Sequence, residues 1–234
     1  MKAKLHVLFL CGWYPSEVLP TNGDFIMRHA KAVSLKHHVS VLHIISKPGI
    51  SKTTIETEKN LNFNVFIAYI KPSKNPFIKL FRFWSAYQSL LKQIGVFDVV
   101  HLNKLYPFGL FALHLKRTKK IPFIISEHWT GYHLTDKKKL SWIEVFLSKK
   151  IAKKASTICP VSNDLKDSML KNKLIGNYQI VPNVVDTTLP VITLTGEATV
   201  TIEVGSTYTD AGATATDNYD TGLTSSIVTV STVD

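Results

Sequence analysis

The chain has 234 residues and a formal net charge of +11, with 28 Lys and Arg against 17 Asp and Glu. No base follows Lys173, so residues 1–188 set 28 bases against 11 acids, whereas residues 189–234 carry six acids and no base. That break near residues 186–190 marks two chemistries joined in one chain, to be read separately. The two cysteines, Cys11 and Cys159, each sit in an apolar run. Two lone thiols exclude a disulfide framework and point to a reducing compartment. No uninterrupted apolar stretch approaches the length of a transmembrane helix. At the N-terminus, Lys2 and Lys4 precede the apolar run 5–11, which is interrupted by His6 and leads straight into Gly12-Trp13-Tyr14-Pro15. A buried first strand, not a secretion signal, is the expected reading.

In chain order, β-branched apolar runs predict strands at 6–11, 39–45, 64–70, 97–102, 122–126, 157–160 and 179–181. Helical periodicity falls between them at 25–35, 77–93, 108–115, 140–154 and 165–171. Alternation of this kind predicts an α/β domain, a Rossmann-like, doubly wound parallel sheet with helices on both faces. Residues 1–188 are long enough to bury a core, and the last 46 are near the size below which a chain seldom folds alone. In such sheets ligands bind beyond the carboxyl ends of the strands. Those ends carry Gly12 to Pro15, Asn103, the string Ser126-Glu127-His128-Trp129-Thr130, Ser162 and Asn183.

Asn22-Gly23-Asp24 predicts a tight turn with Gly23 at positive φ and Asp24 capping the next helix. The same turn could bring backbone close to an anion at a helix N-terminus. Glu127 beside His128 is either an acid–base or substrate-binding pair, or a structural pair that satisfies loop backbone groups. His128 and His133 lack the further ligands of a metal site, and neither a dinucleotide fingerprint nor a P-loop occurs. No metal or resident cofactor is expected. Basic residues gather at Lys137, Lys138 and Lys139, and at Lys149, Lys150, Lys153 and Lys154. The latter four share one arc of a helix opposite Leu140, Ile143, Phe146, Leu147 and Ile151. A solvated face or docking on an anionic membrane surface both fit, and no nucleic-acid motif accompanies the charge.

Residues 1–188 resemble the N-terminal domain of glycosyltransferase family 4, retaining sugar-nucleotide-dependent enzymes of GT-B fold. The resemblance rests on Trp13-Tyr14-Pro15-Ser16, the Asn22-Gly23-Asp24-Phe25 loop, Phe97-Asp98-Val99-Val100-His101 and Ser126 to Gly131. Pro160-Val161-Ser162 and the string Val181 to Asp186 complete it. It implies an acceptor-side domain in which the Gly23 loop lies near the donor diphosphate and acceptor, and His128 lies by the transferred sugar. The nucleotide sugar and a lipid-linked or polysaccharide acceptor are the implied partners, at the inner face of the cytoplasmic membrane. Asn183 and Val184 stand where the family more often shows Asn-Gly. The family's second Rossmann-like domain, with its Arg and Lys for the diphosphate, is not expected in residues 189–234, so little sugar transfer is expected of this chain.

In that segment, 190–196, 200–204 and 227–233 predict strands of a β-sandwich. The string Thr207 to Ala215 resembles the bacterial immunoglobulin-like repeat of surface and some pesticidal crystal proteins, here incomplete. Asp210, Asp217 and Asp220 do not have the spacing of a Ca²⁺ loop and read as solvated turns. Taken from this segment, the alternative function is that of a surface or adhesion protein. Either a gene fusion or a sequence-assembly artefact would join the two halves in this way.

Overall fold

Alternation along the first strand sets the architecture. In β1 (His6–Cys11), Leu8 and Leu10 enter one apolar core while Val7, Phe9 and Cys11 enter another on the opposite side of the sheet. A strand buried on both faces needs cover on both. The computed structural model describes residues 3–132, 141–183, 189–197, 199–217 and 223–228. It divides into two compact units, Met1–Val184 and Val185–Asp234.

The first unit is a seven-stranded sheet of order β3-β4-β2-β1-β5-β6-β7. The strands are β2 (His38–Ser46), β3 (Thr54–Lys59), β4 (Phe63–Ile70), β5 (Val99–Asn103), β6 (Phe123–Glu127) and β7 (Thr157–Pro160). All pairings are parallel except β3 with β4. Helix α1 (Asp24–Ser34) covers one face through Ile26 and Ala30. Helices α2 (Pro76–Ile94), α3 (Gly109–Lys119), α4 (Trp142–Lys154) and α5 (Asn163–Lys171) cover the other. The chain runs outward from β1 to β2 and β4, then crosses under α2 to β5. Strand order therefore reverses between β1 and β5, the point where an open sheet forms its crevice.

Local sequence explains the helix starts. Asn75 Oδ1 accepts the Phe77 and Ile78 amides at 2.9 and 3.3 Å ahead of Pro76 at the first turn. Ser141 and Glu144 form a reciprocal capping box for α4. Ser162 Oγ accepts the Leu165 amide at 3.2 Å.

Several expectations are corrected. Residues 54–59, Thr-Ile-Glu-Thr-Glu-Lys, form an antiparallel edge strand that was not anticipated, and nearly all its side chains are exposed. Residues 179–181 run beside β7, with the Gln179 amide on Ile158 O and the Val181 amide on Pro160 O, but only an isolated bridge at Tyr178 forms. Asp24 does not cap α1. Gly23 occupies the cap position, and Asp24, the first helical residue, pairs with Arg28 at 3.2 Å. The α4 stripe is also rotated from expectation: Ser148, Ile151 and Ala152 are buried, while Ile143 (46% exposed), Phe146 (49%) and Trp142 (77%) lie out with the lysines. Small residues explain it, since α3 comes so close that a Cβ on Gly109 would meet Ile151 Cγ2 at 2.6 Å. Leu140, His133, Lys137 to Lys139 and Val184 to Asp186 lie outside the described residues.

In the second unit, β8 (Val191–Leu194) pairs antiparallel with β9 (Ala213–Thr216). Residues 200–204, expected to be a strand, form none. Thr195 Oγ1 bonds the Ala211 and Gly212 carbonyls instead, and Asp210 Oδ1 accepts the Gly212 amide at 2.9 Å. These bonds bring 211–216 alongside β8. Asp220 and residues 229–233 lie outside the described residues.

Candidate functional site

The loop after β1 folds back so that Gly23 lies against its start. Gly23 has φ +81°, and a Cβ there would sit 2.7 Å from the Trp13 carbonyl carbon and 2.8 Å from the Tyr14 amide nitrogen. Only glycine fits on both counts. Gly23→Ala is expected to cost about 3 kcal/mol, from the left-handed backbone penalty and the overlap together. Urea denaturation followed by tryptophan fluorescence checks this, because all four tryptophans precede residue 189.

Gly23 places Phe25 at the first turn of α1. The Phe25 ring packs 6.5 Å from Trp13 and 4.5 Å from the ring of His128, which follows β6. One turn on, His29 is buried with its ring 5.7 Å from His128. Behind them His101, on β5, shares a 2.7 Å hydrogen bond with Ser126 Oγ and packs on Phe9. Burial lowers all three histidine pKa values. His128 falls to about 4, with the His29 charge lowering it further and the Asn183 side chain pulling the other way. His101 falls to about 3, with His29 and His128 adding to the burial effect. His29 is lowered by burial. At pH 7 His128 is therefore a neutral imidazole, able to donate or accept but not to act as a fixed cation. Among the described residues neither of its ring nitrogens reaches hydrogen-bond geometry, the nearby Asn183 amide included.

Glu127 stands elsewhere than expected of a proton-transfer group. Its carboxylate is fully buried and occupied by backbone: Oε2 accepts the Leu105 amide at 2.8 Å, and Oε1 accepts those of His128 and Trp129 at 3.0 and 2.9 Å. Burial raises its pKa, against the pull of these three amides and of the Lys104 charge. It ties the β5 and β6 exits together and fixes the backbone at His128.

The structure thus sets Gly23 against the Trp13-Tyr14 backbone and Phe25 against His128, with Asn183 near His128 and Glu127 bonded to the His128 amide. Asn22 is half-buried in the preceding turn. Asn103 is fully buried at the end of β5, where its Nδ2 donates to His101 O at 3.2 Å and Oδ1 has no partner among the described residues. Asp24 is engaged with Arg28, and Ser162 caps α5. Lys150, Lys153 and Lys154 line a groove of about 940 Å³ with Lys116, Arg117 and Lys120, on the face away from α1. Lys149, half-buried, belongs to the same helix. The sequence did not place Phe25, named only in the loop motif, or His29 beside His128. Their signal was an i, i+4 pair one helical turn past Gly23 on the apolar face of α1. No group of three or more metal-ligating side chains occurs among the described residues.

No curated protein sequence matches the chain. Among solved structures, a sucrose-phosphate synthase from Thermosynechococcus elongatus matches 77% of this chain and 88% of its own at 12% identity, with a TM-score of 0.50. A UDP-N-acetylglucosamine 2-epimerase from Rickettsia bellii matches 75% of this chain at 13% identity and a TM-score of 0.48, and the chain spans only 44% of that protein. At 12% identity the likeness to the sucrose-phosphate synthase is one of fold, the Rossmann-like arrangement of GT-B enzymes. Residues 192–234 match the model for the bacterial surface protein Ig-like domain. Residues 27–189, well over half the sequence, match the model for Glycosyltransferase Family 4, and the chain belongs to that family.

Proposed function

We propose that residues 1–188 are the acceptor-side domain of an enzyme that transfers a sugar from a nucleotide-sugar donor to a lipid-linked or polysaccharide acceptor, and that residues 189–234 are an Ig-like module. The observation that carries the reading is that the start of α1, through Gly23 and Phe25, meets His128 beyond the carboxyl ends of β1 and β6, with Asn183 near His128. In this role the N-terminal amides of α1 face the donor diphosphate, and Gly23 lets backbone approach it. Neutral His128 meets a sugar hydroxyl, and Glu127 fixes its position. Phe25 and Trp13 give the sugar ring an apolar wall.

Within these 234 residues transfer itself is expected to be negligible. A departing diphosphate needs cations or helix N-termini directed at it from the donor side. Residues 174–234 contain no Lys or Arg. Incubating the chain with nucleotide sugars and acceptors should release no nucleoside diphosphate above background, and measurable turnover contradicts this reading.

Charge and exposed aromatics support work at the inner face of an anionic membrane. Trp142, Ile143 and Phe146 stand out from α4 beside Lys150, Lys153 and Lys154, and Phe77, Leu80 and Phe81 stand out from α2. Basic and aromatic side chains on one face suit a headgroup layer. No helix among the described residues is long and apolar enough to cross a membrane. At ~1 kcal/mol per lysine, Lys150→Ala with Lys153→Ala should weaken binding to phosphatidylserine vesicles about thirtyfold. Unchanged co-sedimentation would remove this part of the proposal. The Ig-like match at residues 192–234 favours a second reading, a surface or adhesion protein, for which detection of the chain outside the cell is the test.

A further inference from the structure

Two grooves meet on the helical face opposite α1, outside the cleft described above. The first is the basic groove of about 940 Å³ between α3 and the last turns of α4. Six of its ten lining residues are Lys or Arg, and none is acidic. Among the described residues these six cations form no salt bridge. Lys116 Nζ donates to Lys154 O at 2.6 Å and stands 5.7 Å from the ring centre of Phe123. Lys150 lies 4.3 Å from that of Phe146. Cations in the last turns of α3 and α4 offset the helix dipoles. Six of them facing one groove also repel one another, and a bound anion relieves that repulsion.

The second groove, of about 520 Å³, is apolar. Leu80, Phe83 and Trp84 of α2 line one side and Leu110 and Phe111 of α3 the other, with Lys79 its only charge. Leu80 is 62% exposed and Trp84 39%, so apolar surface faces water there. The two grooves share a wall. Leu110 lines both, and the Trp84 ring in the apolar groove lies 4.8 Å from that of His114 in the basic one. Leu110 and Arg117 stand about two turns of α3 apart, roughly 10 Å. A ligand that fills both grooves is an anion joined to an apolar chain over that distance.

We propose that these grooves hold one anionic phospholipid, its phosphate on Arg117 and Lys153 and an acyl chain against Leu80, Trp84 and Leu110. The guanidinium fork matches phosphate oxygens, and the lysines add point charges. The chain removes exposed leucine and indole surface from water. A nucleic acid or a free phosphate would use the basic groove and leave the apolar one empty. The proposal deepens the membrane part of the reading above and rests on it for the source of the lipid. It turns a diffuse surface contact into a discrete lipid site, apart from the sugar cleft.

The test uses the full chain labelled with 5-fluorotryptophan, its four ¹⁹F resonances assigned by single Trp→Phe changes. The probe is dihexanoylphosphatidylglycerol below its micelle concentration. It is expected to move the Trp84 resonance saturably and to leave Trp13 and Trp129 in place. Glycerol 3-phosphate, which lacks the chains, and dihexanoylphosphatidylcholine, whose choline cancels the charge, should each bind about tenfold more weakly. Arg117→Gln and Lys153→Gln should each weaken the anionic lipid about fivefold. Leu80→Ser, at an exposed position, should do the same from the apolar side, by about fivefold. Unmoved Trp13 and Trp129 resonances report that the variants fold. Equal affinity for the anionic lipid and glycerol 3-phosphate, or for the two lipids, overturns the site. So does parental affinity in the chain that carries both Arg117→Gln and Lys153→Gln. Co-sedimentation with phosphatidylglycerol vesicles separates the two claims. Sedimentation with Trp84 silent to the short lipid keeps the membrane reading and overturns the site. A saturable Trp84 shift without sedimentation supports the site and overturns the membrane reading. Silence in both overturns both.

Discussion

Acidification from pH 7 to pH 4 is expected to remove several kcal/mol of stability from the α/β unit. His43 shows why. It lies on β2, 2% exposed, with Nδ1 3.1 Å from Cys11 O and no partner for Nε2 among the described residues. Burial lowers its pKa to about 4, more than the Cys11 carbonyl raises it. An unfolded histidine takes its proton near 6.5, so between these values the unfolded chain binds more protons and stability falls as pH falls. The contribution is fully present above pH 6.5 and is lost as pH drops towards the folded value. For His43 alone the loss is about 3 kcal/mol. His29, His101 and His128 are lowered in the same direction by burial. Glu127 works oppositely, because a raised carboxylate pKa favours the folded state at low pH, but it is one group against four. Urea midpoints at pH 7, 5.5 and 4 should fall at each step. A midpoint independent of pH would show that the histidines are not held neutral by burial.

Replacement of Glu127 by Ala is expected to be among the most damaging single changes in the chain. It leaves the Leu105, His128 and Trp129 amides without their acceptor in a buried position. Each orphaned donor costs ~1–3 kcal/mol, so the total is about 3–5 kcal/mol after partial relaxation. Glu127→Gln keeps the volume and one acceptor oxygen but turns an NH₂ towards at least one of these amides. It should cost about 2 kcal/mol. Hydrogen exchange separates this from a general loss of packing. In Glu127→Gln the amides of Leu105, His128 and Trp129 should exchange faster, while those of β1 and β2 keep their protection. A stability of Glu127→Ala within 1 kcal/mol of the parent chain would contradict the knot assigned to this carboxylate.

The parallel core was legible because its strands are buried on both faces and read as apolar runs. β1 and β7 have the bounds their sequences predict. β3 was not legible: Thr54–Lys59 has a single apolar side chain, Ile55, and the edge of a sheet asks little apolar content of its outermost strand. The α4 face was misread because apolar count suggested Ile143 and Phe146, whereas the close approach of Ile151 to Gly109 turns Ser148, Ile151 and Ala152 inward. Residues 200–204 alternate like a strand, but the pairing partner of β8 is chosen by the Thr195 bonds to 211–212. In the cleft, Gly23 and His128 were visible as special residues at strand exits. Glu127 was visible as a residue, but its service to three amides depends on how the β5 and β6 exits meet.

The most direct test of the account is an amide chemical-shift map of the ¹⁵N-labelled full chain, titrated with a short-chain prenyl-diphosphate sugar. The account predicts saturable shifts centred on Gly23, Phe25, His128 and Asn183. Shifts confined to residues 192–228, or none at saturating ligand, would contradict it and return the function to the Ig-like unit.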